Sequence, residues 1–187
     1  MPGHTCPPFI GRILLSPLRR LFENPDRLFS SYIKKDMLVL EPGCGMGYFT
    51  IPLARMVGLK GRVIAIDIQD KMLAALYQRA IKAGVSDRIE IRRAAGRSLS
   101  IDDLAEKADF AVAIHMVHEV PDQQAFFREI FKALKPGGRL LVIEPRIHVS
   151  RKKFTESLDQ AGQCGFMISP EPLTGLKALL YKHHHEY

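Results

Sequence analysis

Residues 39–47 read Val39-Leu40-Glu41-Pro42-Gly43-Cys44-Gly45-Met46-Gly47, an apolar run that passes an acid and enters three alternating glycines. The run from Met37 to Leu40 has the branched side chains that predict an inner strand. The glycines, which have no Cβ atom, let the backbone turn tightly and approach a ligand. Residues 48–57 predict a helix. The pattern therefore predicts a nucleotide-type cofactor site at a helix N-terminus.

The spacing of this turn separates two kinds of cofactor. A nicotinamide or flavin fingerprint, G-x-G-x-x-G, requires a third glycine where this chain has Tyr48. The pattern here is instead acid-x-G-x-G-x-G. Glu41 would lie where a pyrophosphate belongs, which is unfavourable for an anion and suits a cationic ammonium group. The turn therefore favours a cofactor that carries an amino acid.

Four segments, taken in order, resemble the class I S-adenosylmethionine-dependent methyltransferases. The glycine turn resembles their first motif, and Gly61 to Asp67 is a second strand that ends in an acid about twenty residues later. Ala108 to His115 resembles their fourth strand. Leu134 to Ile143 resembles their L-K-P-G-G turn and fifth strand. The resemblance covers roughly residues 37 to 144 and implies S-adenosylmethionine as the cofactor and S-adenosylhomocysteine as the product.

The resemblance also implies which residues hold the cofactor. They are Glu41, Gly43, Cys44, Gly45, Gly47, Asp67, Ile68, Met72, Ala95, Gly96 and His115. Asp67 is expected on the ribose, and Ile68 and Met72 on the adenine. Many members of the family carry an acid for the adenine amine where this chain has Ala95. Backbone groups of Ala95 and Gly96, or the Ser98 hydroxyl, would have to replace that acid.

Strands and helices alternate along the chain, which predicts a parallel sheet with helices on both faces. Strands are expected at 37–41, 62–67, 88–93, 109–114, 139–144, 166–169 and 177–181, and helices at 48–57, 70–83, 122–135 and 151–164. The expected class is α/β, a Rossmann-like three-layer sandwich whose seven-stranded, mostly parallel sheet has an antiparallel last strand. Residues 37–187 are expected to form a single methyltransferase domain. Residues 1–36 are expected to be an N-terminal helical segment that packs on its core.

Composition narrows the class of protein. The 187 residues carry a formal charge of +7, spread without interleaved aromatic residues, which favours a solvated surface over a nucleic-acid site. No apolar run reaches the ~20 residues of a membrane span. The three cysteines have neither disulfide nor zinc spacing, and the histidines at 183–185 are expected in an exposed tail, so no metal is predicted. A cytoplasmic protein, monomeric or homodimeric, is expected.

Methyl transfer mainly requires alignment of a nucleophile with the sulfonium methyl group, and a base only for a protic acceptor. His118 and Glu119, after the fourth predicted strand, are the candidate catalytic pair. Alternatively, they cap the loop and hold the next helix. Glu144, Arg146 and His148 follow the fifth strand and are expected on the substrate side, where Glu144 orients the substrate or pairs with Arg146.

The sequence thus predicts a methyltransferase that moves a methyl group from S-adenosylmethionine to a small-molecule acceptor by in-line displacement. Three alternatives stay open. One is an RNA methyltransferase, and a second is a metalloid (arsenite-type) methyltransferase that would use Cys6 and Cys164 as thiol ligands. The third is a non-catalytic protein that binds S-adenosylmethionine and acts as a partner.

Overall fold

A computed structural model describes residues 23–170 and 173–183. Most of the expected N-terminal segment 1–36, Cys6 and the last two of the three adjacent histidines lie outside these residues. The chain divides into two compact units, one within His4–Ala94 and the other within Ala95–Tyr187. Among the described helices, none is long and apolar enough to cross a membrane.

Seven strands form one sheet in the order β3-β2-β1-β4-β5-β7-β6. The strands are β1 (Leu38–Pro42), β2 (Arg62–Asp67), β3 (Ile89–Arg93), β4 (Ala108–Ile114), β5 (Leu134–Ile143), β6 (Phe166–Ile168) and β7 (Lys177–Lys182). The helices are α1 (Pro25–Phe29), α2 (Thr50–Met56), α3 (Asp70–Lys82), α4 (Gln123–Ala133) and α5 (Arg151–Gln163). Strand β7 is antiparallel to β5 and β6, whereas the pairs β1–β2, β2–β3 and β4–β5 are parallel. The expected fold class is confirmed.

The unit within His4–Ala94 is built on strands β1 to β3. Leu40 pairs with Ile64 across β1 and β2, and both side chains are buried, as expected for inner strands of a parallel sheet. Helix α1 is capped by the Asn24 side chain and buries Phe29, whose ring meets the Phe49 ring edge-on at 5.8 Å. The described end of the N-terminal segment thus contributes to the core of this unit.

The unit within Ala95–Tyr187 is built on strands β4 to β7. Helix α4 begins where the Asp122 side chain accepts a hydrogen bond from the Ala125 N–H at 2.9 Å, a typical N-cap. It buries Phe126, Phe127 and Ile130, which occupy one helical face. These three side chains therefore belong to the core of this unit.

Two expected helix boundaries are wrong by two residues. The helix expected over 48–57 begins at Thr50, because the turn extends through residues 47–49 before the first helical residue. The helix expected to end at 135 ends at Ala133, and Leu134 already has extended backbone angles that begin β5. Pro136 contributes to this early end, since a proline disfavours helical geometry at the residue before it.

Candidate functional site

The glycine turn between β1 and α2 is fastened to the end of β2 by backbone hydrogen bonds. The N–H groups of Gly43 and Cys44 both donate to the Ile66 carbonyl, at 2.8 and 3.1 Å. The Gly45 N–H donates to Asp67 Oδ2 at 2.9 Å. The turn and the acid expected for ribose binding are therefore one hydrogen-bonded structure.

Two glycines of the turn have positive φ angles but different surroundings. Gly47 has φ +81°, and a Cβ atom there would overlap the Leu76 side chain, so any other residue would be strained and crowded. Gly45 has φ +52°, and a Cβ atom there would meet no described atom within 4 Å. The bare face of Gly45 is therefore open to a ligand.

Asp67 lies at the carboxyl end of β2, the edge where open parallel sheets bind ligands. Its Oδ2 accepts from Gly45, and its Oδ1 accepts from the Gln69 N–H at 2.9 Å. A carboxylate has about four acceptor positions, so these two bonds orient it and leave capacity for further donors. This arrangement suits two ribose hydroxyls.

Glu41 is the most perturbed carboxyl group of the turn. Only 4% of the residue is exposed, and its Oε2 has no hydrogen-bond partner among the described residues. Burial raises the pKa of Glu41 to about 8; the Thr50 hydroxyl opposes this rise, and the Asp67 charge adds a smaller contribution to it. The Thr50 oxygen also lacks a partner with hydrogen-bond geometry in the described part of the chain. A buried acceptor without a donor is what an ammonium group would satisfy.

Other residues around the turn have distinct environments. Ile68 is 44% exposed and free to cover a planar ring, whereas Met72 is only 4% exposed, so less of its side chain faces solvent. Burial raises the pKa of the Cys44 thiol well above its usual value, which fits a buried filler residue rather than a nucleophile.

Arg79, which the sequence reasoning missed, donates to the Met46 carbonyl from helix α3. A cation on the apolar side of a helix was the available signal.

The residues of this turn fit S-adenosylmethionine. The orphaned Glu41 oxygen matches its ammonium group, the open face of Gly45 matches a ligand that lies against the backbone, and the remaining acceptor positions of Asp67 match its ribose.

The remaining residues expected at the cofactor belong to the unit within Ala95–Tyr187. Ala95 and Ser98 exchange backbone hydrogen bonds of 2.9 and 3.0 Å, and the Ser98 hydroxyl donates to Glu129. Gly96, between them, has φ +61°. His115, at the end of β4, has φ +57°, an unusual value for a residue other than glycine. The roles of Ala95 and Gly96 toward the adenine, and of His115 toward the cofactor, stay predictions.

A second group of candidate residues surrounds one cavity in this unit. The cavity has a volume of about 330 Å³. Its wall contains His118, Gln123, Glu144, His148, Val149, Lys153, Glu156, Ser157 and Gln160. Three of the residues expected on the substrate side or in catalysis thus meet here. Glu119 lies beside them, with its Oε1 4.0 Å from His118 Nε2, whereas Arg146 is not part of this wall.

His118 and Glu144 make the closest polar contact in this cavity. His118 Nδ1 lies 2.5 Å from Glu144 Oε2, and the His118 backbone N–H donates to Glu144 Oε1 at 3.1 Å. The Glu144 side chain is 2% exposed and that of His118 25%. Glu144 therefore pairs with His118 and not with Arg146, which was the other possibility. The His148 ring is stacked on His118, 6.1 Å away and 17° from parallel.

The sequence reasoning missed Gln123 and one face of helix α5. Lys153, Glu156, Ser157 and Gln160 line the cavity at the i, i+3, i+4, i+7 spacing of a helical face. That polar periodicity was the signal that could have found them. Gln123 Nε2 donates to the Val117 carbonyl at 2.9 Å, whereas its buried Oε1 has no partner among the described residues.

The sequence matches the profile of a methyltransferase domain family over residues 33–179. A ubiquinone/menaquinone biosynthesis C-methyltransferase, UbiE of Pasteurella multocida, is 34% identical over 114 residues, which are 61% of this chain and 42% of that protein. The match thus spans less than half of the length of this curated relative.

Two solved structures share the fold. A SAM-dependent methyltransferase from Aquifex aeolicus superposes with a TM-score of 0.82 at 22% identity, covering 95% of this chain and 97% of that one. The [4+2]-cyclase SpnF superposes with a TM-score of 0.63 at 23% identity, covering 78% of this chain and 57% of that one. Since a cyclase shares the architecture, the fold alone does not establish the reaction.

Proposed function

Because the chain belongs to the methyltransferase domain family, with S-adenosylmethionine as its cofactor, we propose that it transfers a methyl group to a small-molecule acceptor by in-line displacement. The observation that carries this proposal is the buried Glu41 carboxyl beside the glycine turn, with one oxygen that lacks a donor. A dinucleotide would bring a pyrophosphate to this acid, whereas S-adenosylmethionine brings an ammonium group.

Each residue of the turn has a proposed task. Glu41 holds the ammonium group, Gly43 and Gly45 let the amino-acid part lie against the backbone, and Asp67 accepts the ribose hydroxyls. S-adenosylmethionine supplies a methyl group that is already electrophilic. The protein then contributes mainly the orientation of the acceptor, an effect that supplies several kcal/mol in well-aligned reactions.

The acceptor is proposed to be a small molecule that occupies the cavity around His118. A volume of about 330 Å³ lies at the small end of ligand sites. The UbiE relatives are named C-methyltransferases of ubiquinone and menaquinone biosynthesis, which makes substituted hydroquinones the first acceptors to test.

Calorimetric titration with S-adenosylmethionine and S-adenosylhomocysteine tests the cofactor site. We expect saturable binding by the wild type and a loss of about 100-fold in Asp67→Ala, because two hydrogen bonds to a charged group are removed. Asp70→Ala is the matched control, since Asp70 is three residues away and exposed. Wild-type protein that binds neither compound would refute the proposal.

Transfer is measured as S-adenosylhomocysteine formed in the presence of hydroquinones, amines or thiols. Product that depends on the acceptor supports the proposed reaction. Tight cofactor binding with no product from any of the three acceptor classes would favour a non-catalytic partner protein instead.

A further inference from the structure

The hydrogen bonds of Glu144 determine which nitrogen of His118 carries the proton. Glu144 Oε1 accepts a hydrogen bond from the His118 backbone N–H, and Glu144 Oε2 lies 2.5 Å from His118 Nδ1. A carboxylate can only accept, so Nδ1 must hold a proton in this arrangement. In the neutral ring Nε2 then carries a lone pair, and it makes no hydrogen bond with any described residue.

Gln123 lies in the wall of the same cavity and has an unpartnered acceptor atom. Its amide orientation is set by the Val117 carbonyl, which can only accept and therefore requires the NH₂ group at 2.9 Å. The Gln123 Oε1 is consequently the atom left buried without a partner. Leaving a buried acceptor unsatisfied is costly, so a ligand that donates a hydrogen bond fits here.

We propose that Glu144 is a positioning residue that orients the His118 ring and fixes its neutral tautomer with the proton on Nδ1, so that Nε2 takes the proton of a hydroxyl group on the acceptor while Gln123 Oε1 accepts a second hydrogen bond from it. This inference rests on the proposed function and specifies its substrate class as a hydroxylated small molecule. His118 is the catalytic base, and Glu144 acts through it, as in other pairs in which a buried carboxylate orients an imidazole.

The proposed step balances. His118 Nε2 takes the hydroxyl proton as the acceptor oxygen, or a carbon conjugated to it, forms a bond to the methyl carbon. The bond between the methyl carbon and the sulfonium sulfur breaks, and the electron pair of that bond stays on sulfur. The imidazolium then returns its proton to water, so the net products are the methylated acceptor, S-adenosylhomocysteine and one proton.

Glu144→Gln tests the positioning role without changing the size of the side chain. The amide oxygen of Gln can serve only one of the two His118 donors, and the backbone N–H cannot lose its proton. The amide NH₂ must then face Nδ1, which moves the imidazole proton to Nε2. We expect ¹⁵N NMR of the neutral ring to show Nδ1–H in the wild type and Nε2–H in Glu144→Gln.

Glu156→Gln is the matched control, because Glu156 lies in the same cavity wall but makes no hydrogen bond or ion pair with His118. We expect this variant to retain the Nδ1–H form. A wild-type protein with Nε2–H, or a Glu144→Gln variant that keeps Nδ1–H, would overturn the positioning role.

The substrate class is tested with phenol and its methyl ether, anisole, which have the same ring but differ in their ability to donate a hydrogen bond. We expect phenol to shift the His118 resonances and to bind about tenfold more tightly than anisole, the effect of roughly one hydrogen bond. Equal affinities would overturn the hydroxyl assignment. These experiments need no S-adenosylmethionine, so failure to bind that compound would refute the proposed function separately.

Discussion

Replacing Glu41 with Gln should remove a large pH dependence from the stability of this protein. The folded state raises the pKa of Glu41 from 4.5 to about 8. The folded protein therefore retains a proton that the unfolded chain releases over this range. The contribution of the protonated Glu41 side chain to the free energy of unfolding is complete below pH 4.5 and is lost progressively as the pH rises toward 8.

The expected magnitude follows from ~1.4 kcal/mol per pKa unit. The loss is about 1 kcal/mol at pH 5 and about 3 kcal/mol at pH 7, so it grows by about 2.5 kcal/mol between these values. A Gln side chain does not titrate. Relative to the wild type, the free energy of unfolding of Glu41→Gln should therefore increase by about 2.5 kcal/mol between pH 5 and pH 7. This increase corresponds to about 5–10 °C in Tm.

Urea unfolding of both proteins at pH 5, 6 and 7 measures this difference. The informative quantity is how the difference in free energy of unfolding between the two proteins changes with pH. A difference that is the same at every pH reports only how well the Gln side chain packs. Asp87→Asn is the control, since the Asp87 side chain is 65% exposed, and its profile should run parallel to the wild type. Parallel profiles for Glu41→Gln and the wild type would refute the assignment of Glu41 as a buried, protonated acid.

Two further predictions concern the same turn. Binding of S-adenosylmethionine should release close to one proton at pH 6.5, because the ammonium group of the cofactor stabilises the Glu41 carboxylate. Calorimetry in two buffers of different ionisation enthalpy measures the number of protons released. The Glu41→Gln variant should release almost none. Gly47→Ala should cost about 2 kcal/mol more in urea unfolding than Gly84→Ala, because both glycines have positive φ but only at Gly47 does a Cβ atom meet the Leu76 side chain. Equal costs would contradict the crowding at Gly47.

Local patterns were sufficient for the order of elements and for the acids at the ends of β1 and β2. The apolar run before Glu41 and the alternating glycines require a strand and a turn because burial and positive φ are properties of adjacent residues. The end of α4 was predicted two residues too late, because it depends on the pairing of Leu134 with Ala108 of β4 as well as on residues nearby in the chain.

The sequence by itself determined that this protein has an alternating α/β fold and a glycine turn suited to S-adenosylmethionine, since each signal lies within a few consecutive residues. Only the tertiary structure decided that Glu144 contacts His118, that Gln123 and one face of α5 line the same cavity, and that Glu41 is buried without a donor. One physical reason explains why these three features could not be predicted from the sequence. Hydrogen bonds between residues 26 positions apart, and the burial that shifts a pKa, depend on how separate elements pack, which local sequence does not encode.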